Sequence, residues 1–181
     1  MTEAIQVSKK VVMLGDPAVG KTSMIQKFVH DIFDDKYIST LGTKVSSKII
    51  VTHHPRKEAS VEMKFMIWDV MGQKDYEMFH HSAYSGSQGA LIVCDITRRQ
   101  TFESLPEWVS SLFSVTNQIP IVLIGNKVDL ANQKEFEYKD LSKLASTFDS
   151  ASFFTSAKTG ENIEQAFSIL AQDIIKSDNK Y

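Results

Sequence analysis

The stretch GDPAVGKTS, Gly15 to Ser23, carries a glycine at each end of a short loop, then a lysine and two hydroxyl residues. Upstream, KKVVMLG (Lys9 to Gly15) is a β-branched and aliphatic run that stops at glycine, the pattern of a buried strand. Downstream, KTSMIQKFVHDIF sets Met24, Ile25, Phe28, Val29 and Ile32 at helical spacing with no proline or glycine among them. Between a strand and a helix, G-x-x-x-x-G-K-[ST] is a phosphate-binding loop. Its backbone N–H groups surround the phosphates, and the helix N-terminus adds partial positive charge. Gly15, Asp16, Pro17, Ala18, Val19, Gly20 and Ser23 are therefore nucleotide-binding positions. Lys21 is placed to reach the β- and γ-phosphates, and the Thr22 hydroxyl to ligate Mg²⁺.

Composition allows this reading without demanding it. With 181 residues, 43% of them hydrophobic, the chain is expected to form one soluble domain over residues 1–181. A net charge of −2 gives no basic footprint for nucleic acid. The one cysteine, Cys94, lies inside the apolar run ALIVCD and reads as a small core residue in a reducing, cytoplasmic compartment. No apolar signal segment opens the chain, and Thr2 rather than glycine argues against myristoylation.

The rest of the chain alternates strand and helix after an early hairpin. KVSSKIIVT and VEMKFMIWD are strand-like, and the connection HHPRKEAS reads as a solvated hairpin loop, its His53 and His54 lacking a ligand set. His80 and His81 read the same way. GALIVCD, TFESLPEWVSSLFSV, PIVLIG, YKDLSKLASTF, ASFFT and ENIEQAFSILAQDIIK then give strands and helices in turn. The expected fold class is α/β: a mostly parallel six-stranded sheet with one antiparallel edge strand and helices on both faces. Ligands of such sheets bind at the carboxyl ends of the strands, where the chemistry is to be sought.

Three further strand ends carry it. In WDVMGQ, Asp69 is placed to hold Mg²⁺ through water, Gly72 to bring its N–H to a γ-phosphate, and Gln73 to orient an attacking water. Lys21, Gly72 and Gln73 are the expected catalytic set. In NKVD, the Asp129 carboxylate can pair with the N1–H and N2 amino group of guanine, a donor pair that adenine lacks. Asn126 would tie the base-binding loops together, and the aliphatic stem of Lys127 would cover one face of the base. In TSAKTG, the Ala157 N–H can donate to guanine O6 beside Ser156, with Lys158 flanking the ring.

With these motifs in order, the chain resembles a Ras-superfamily small GTPase over roughly Lys9 to Lys176. The resemblance implies a P-loop NTPase (G domain) fold, and the texture is nearest the Rab branch: IWD, Y-x-x-T-L-G and GALIVCDITRRQTFESLPEW are all Rab-like. In FDDKYISTLG, similar to the family's first switch, Phe33 would contact the base edge, Tyr37 would close over the phosphates, and Thr40 would ligate Mg²⁺. The resemblance implies GTP and GDP as ligands and Mg²⁺ as cofactor. It also implies an exchange factor, a GTPase-activating protein and effectors that meet the two switch loops of a monomer.

This chain departs from the family at several points. Val70, Met71 and Lys74 stand where threonine, alanine and glutamate are usual, and Pro17 differs from the Ras pattern. The tail QDIIKSDNKY has neither cysteine nor basic cluster, so no prenyl anchor is visible. The first-switch stretch contains no arginine, and Arg56, Arg98 and Arg99 are not placed by motif to reach a γ-phosphate, so slow intrinsic hydrolysis is expected. The alternative is a nucleotide-held interaction module with negligible turnover; a P-loop kinase is more distant, because NKVD and SAK argue against it.

Overall fold

The computed structural model describes residues 4–34, 36, 42–54, 59–72 and 77–178. Its strands are β1 (Ile5–Leu14), β2 (Thr43–His53), β3 (Ser60–Val70), β4 (Gly89–Asp95), β5 (Ile121–Asn126) and β6 (Ala151–Thr155). They form one six-stranded sheet in the order β2-β3-β1-β4-β5-β6. Only the β2–β3 pair is antiparallel among them, and β2 is an edge strand, as the sequence suggested. β1 starts earlier than its apolar run, because Ile5 to Lys10 pair in parallel register with Val61 to Met66 of β3. There the ladder extends the strand beyond the hydrophobic signal.

The helices are α1 (Lys21–His30), α2 (Glu77–Tyr84), α3 (Arg99–Glu103), α4 (Leu105–Val115), α5 (Tyr138–Thr147) and α6 (Ile163–Ser177). Period-two alternation splits β1 between two cores. Val11 and Met13 join Met24, Phe28, Phe65 and Phe167 on the α1/α6 face, where the Phe28 and Phe167 rings stack with centroids 3.8 Å apart. Val12 and Leu14 join Tyr84, Leu105, Trp108, Leu112 and Leu141 on the opposite face. β4 lies between β1 and β5 and is buried along its whole length, which explains its unbroken apolar sequence.

Three local expectations need correction. α1 ends at His30, because Asp31 adopts a left-handed conformation (φ 56°) and its N–H caps the carbonyls of Gln26 and Lys27. Ile32 therefore leaves the apolar stripe and is 58% exposed. The run TFESLPEWVSSLFSV forms two helices, broken at Ser104, since Pro106 lacks the N–H that would continue α3 and its ring opposes the preceding turn. His54 is buried rather than solvated, its backbone N–H donating to Ala59 O at 3.0 Å. Among the described residues no His, Cys, Asp or Glu cluster has the makings of a metal site of its own. None of the described helices is long and apolar enough to cross a membrane.

Candidate functional site

The carboxyl ends of β1, β3, β5 and β6 converge on one cavity of about 380 Å³. Pro17, Ala18, Gly20, Lys21, Thr22, Ser23, Phe33, Gly72, Asn126, Lys127, Asp129, Ala157 and Lys158 line it, as expected from the motifs. Gly15, Asp16, Val19, Asp69 and Ser156 are not among its lining residues; Val19 and Ser156 are fully buried beside it. Tyr37, Thr40 and Gln73 lie outside the described residues, as do Lys74 and Arg56. Gln26, Asp34, Lys36, Val70, Met71 and Leu130 line the cavity without having been expected there.

At the phosphate end, the loop after β1 curls round the ammonium of Lys21, which donates to Gly15 O at 2.7 Å and Asp16 O at 2.9 Å. Burial pushes the Lys21 pKa down to about 8, against the pull of the Asp69 and Asp16 carboxylates and with a small further push from Arg98. Gly20 needs to be glycine twice over. Its φ is +102°, and a Cβ there would come within 2.3 Å of Asn126 Nδ2. Gly72 packs directly on the loop, where a Cβ would fall 2.5 Å from Pro17 N and 2.6 Å from the Asp16 carbonyl carbon. The turn after β3, which carries the WDVMGQ motif, thus begins in contact with the phosphate loop. Met71 beside it both lines the cavity and accepts the Gly42 N–H on Sδ at 3.0 Å.

Thr22 and Asp69 fit a divalent cation. Burial pushes the Asp69 carboxyl pKa up, opposed by the Thr22 hydrogen bond and the Lys21 charge. Asp69 Oδ1 is buried and has no hydrogen-bond partner among the described residues. An orphaned carboxylate oxygen beside a hydroxyl is a hard-oxygen donor set of the kind Mg²⁺ takes, usually through retained waters.

The base end is braced by Asn126. Its Nδ2 donates to Val19 O at 3.0 Å, while its Oδ1 accepts from Thr155 Oγ1 at 3.1 Å and from the Ala157 N–H at 3.2 Å. One amide side chain therefore joins the phosphate loop to the ends of β5 and β6. The Ala157 N–H assigned to guanine O6 already has an acceptor here, so it would serve the base by sharing its hydrogen. Ser156 Oγ donates to Asp129 Oδ1 at 2.6 Å and accepts the Thr159 N–H at 3.0 Å, which fixes the carboxylate at the cavity edge. Lys127 is left-handed (φ 74°), and its Nζ pairs with Asp95 Oδ2 at 2.6 Å.

Three functional neighbours escaped the motifs. Trp108 Nε1 donates to Asp16 Oδ1 at 2.7 Å, and Arg98 Nη2 donates to Pro17 O at 2.8 Å, so α4 and the turn after β4 both hold the loop. Asp95 is the third. Burial pushes its pKa up, but the hydrogen bonds from Lys127 and Thr97 outweigh this and hold it below the usual carboxylate value. Its only sequence signal was its place at a strand end.

Over residues 10–176 the chain matches the sequence pattern of the Ras family. The Ras-related protein Rab11A of Lotus japonicus is 36% identical over 172 residues, covering 94% of this chain and 74% of that protein. The Ras-related protein Rab-13 of Canis lupus familiaris is 33% identical over 176 residues, covering 97% and 84%. For Rab-4A of Bos taurus the identity is 34% over 176 residues, covering 97% and 78%.

Proposed function

The chain belongs to the Ras family as a Rab-like small GTPase, and we propose that residues 1–181 form one G domain that binds GTP and GDP with Mg²⁺, slowly hydrolyses GTP and recruits effectors while GTP is bound. The observation that carries this reading is the opposition, across one cavity, of the Lys21–Thr22 end and the Ser156-braced Asp129. Asp129 supplies the acceptor for guanine; it is exposed in the open cavity, and once a base covers it, an acceptor left unpaired by adenine costs on the order of 1 to 3 kcal/mol, more when charged. Lys21 and the loop N–H groups bind the β- and γ-phosphates, and Gly72, already packed on the loop, presents its N–H to the γ-phosphate. Thr22, Thr40 and Asp69 would hold Mg²⁺, which would supply charge neutralisation for the phosphates. Gln73 orients water for in-line attack. Loss of the γ-phosphate releases the two switch segments, so exchange factors, activating proteins and effectors read the nucleotide there. The protein works in the cytoplasm as a monomer.

A nucleotide-held module with negligible turnover is the second reading, and Met71 favours it by filling space beside Gly72 that alanine would leave open. Denaturing the purified protein and chromatographing the supernatant tests the shared premise: GDP or GTP is expected, and adenine nucleotide would overturn it. Single-turnover hydrolysis of preloaded GTP separates the two readings, since only the switch turns over at about 10⁻⁴ to 10⁻³ per second.

A further inference from the structure

Asp95 closes β4, the strand between the phosphate-loop strand and the base-reading strand, and its side chain is 1% exposed. Oδ1 accepts the Thr97 backbone N–H at 2.9 Å and the Thr97 hydroxyl at 2.7 Å, which fixes the plane of the carboxylate. Oδ2 takes two cations, Lys127 Nζ at 2.6 Å and Arg98 Nε at 3.2 Å. The far end of the same guanidinium, Nη2, reaches Pro17 O at 2.8 Å. A continuous polar chain therefore runs Lys127–Asp95–Arg98–Pro17, from the base end of the cavity to its phosphate end.

Resting on the guanine-nucleotide reading above, we infer that Asp95 and Arg98 are positioning residues of the nucleotide site: one buried carboxylate, shared by two cations, holds the base-covering lysine and the phosphate loop in a single geometry, so that cutting the chain speeds nucleotide release. The physics favours positioning over stability. Arg98 and Lys127 are 43% and 32% exposed, so solvent screens their pairing energy. What the bridge fixes is direction. Pro17 C=O and Ala18 N–H belong to one planar trans peptide and point opposite ways, so a carbonyl held by Arg98 aims the Ala18 N–H away from Arg98. Ala18 lines the cavity and is held at φ 61°, a conformation a non-glycine residue keeps only when its surroundings impose it. A guanidinium can span carboxylate and carbonyl at once because its donors form a rigid fork. A lysine has one nitrogen for both.

The test follows release of fluorescent N-methylanthraniloyl-GDP, chased with excess GDP. Arg98→Ala is expected to release it about tenfold faster than the wild type, the lower range for a charge-assisted hydrogen bond, and Arg98→Lys to release it nearly as fast as Arg98→Ala. Asp95→Asn sets an NH₂ donor against two cations and is expected to exceed tenfold. The double variant Asp95→Asn/Arg98→Ala should be no faster than Asp95→Asn alone, because Arg98 acts through Asp95. Rates that multiply in the double variant, or an Arg98→Lys protein indistinguishable from wild type, overturn the inference. Arg98 is half-exposed, so its replacements leave both cores intact and decide the matter even if Asp95→Asn does not fold. A wild type that retains no fluorescent GDP overturns the guanine reading together with this one, whereas retention at an unchanged rate in Arg98→Ala overturns this one alone.

Discussion

Thr22 Oγ1 donates to Asp69 Oδ2 at 2.5 Å, joining the first turn of α1 to the end of β3 across 47 positions of sequence. The bond orients the hydroxyl and leaves the other carboxylate oxygen, Oδ1, buried and open for a cation's water shell. Asp69→Asn is expected to lower Mg²⁺ affinity by about 10- to 100-fold, the usual loss when a group orienting a metal's inner ligands is replaced. Nucleotide release titrated against Mg²⁺ concentration reports it. An unshifted titration would remove Asp69 from the metal site.

Asp129 lines the cavity with one carboxylate oxygen held by the Ser156 hydroxyl at 2.6 Å, which restricts its orientation toward the base it is proposed to read. Asp129→Asn exchanges an acceptor for a donor that suits the extra carbonyl of xanthine. Preference should move from guanine to xanthine nucleotides, with guanine affinity falling at least about 100-fold. Competition binding with GDP and xanthosine diphosphate measures the ratio, and unchanged guanine preference would mean that Asp129 does not read the base.

The sheet and most of this cavity were legible because each motif falls at a strand end, where local apolar runs locate it. Legibility ended where contacts join distant segments. Trp108 meets Asp16 across 92 positions and Arg98 meets Pro17 across 81, and neither pair leaves a local pattern. The helix break at Ser104 was visible in Pro106 but was outweighed by the apolar period that continues on both sides of it. Asp31 ended α1 by adopting a left-handed cap, which a non-glycine residue signals only weakly.

Burial also makes a prediction at alkaline pH. Cys94 is fully buried and its thiol is pushed well above the ordinary 9.0, chiefly by desolvation and then by the Asp95 charge. Tyr84 is pushed from 10.0 up to about 12, again chiefly by desolvation. The unfolded chain then loses these protons at lower pH than the folded one, so the stability these two groups contribute is full below pH 9 and falls as pH rises from there toward the shifted values. Lys21, whose pKa is lowered to about 8, acts with the opposite sign between about pH 8 and 10.5. The Cys94 contribution is therefore read as the difference between wild type and Cys94→Ala in thermal midpoints measured in steps from pH 7 to 10.5. Between pH 9 and 10 the wild-type midpoint should fall relative to that of Cys94→Ala; a constant difference would mean that the Cys94 thiol makes no such contribution. Native Cys94 should also resist thiol reagents until the protein is unfolded.

The last expectation concerns the contact between Met71 Sδ and the Gly42 N–H at 3.0 Å, which ties the end of the stretch FDDKYISTLG to the turn after β3. Met71 sits beside Gly72, whose backbone rests on Pro17, so on the proposed function its bulk would limit how closely Gly72 and the next residue in sequence approach a γ-phosphate. Shortening it in Met71→Ala removes both the bulk and the tie. Single-turnover hydrolysis of preloaded GTP should then rise by about three- to tenfold above the wild-type rate, toward the upper end of the range for small GTPases without a built-in arginine. Met71→Leu keeps the bulk and discards the sulfur acceptor, so its rate should stay near wild type if space is what limits turnover. Gln73→Leu should lower hydrolysis in either background while leaving GDP release nearly unchanged, because on the proposed function the glutamine orients water and does not hold the ligand. An acceleration in Met71→Leu equal to that in Met71→Ala would assign the restraint to the sulfur contact. No acceleration in either would free Met71 from any part in hydrolysis.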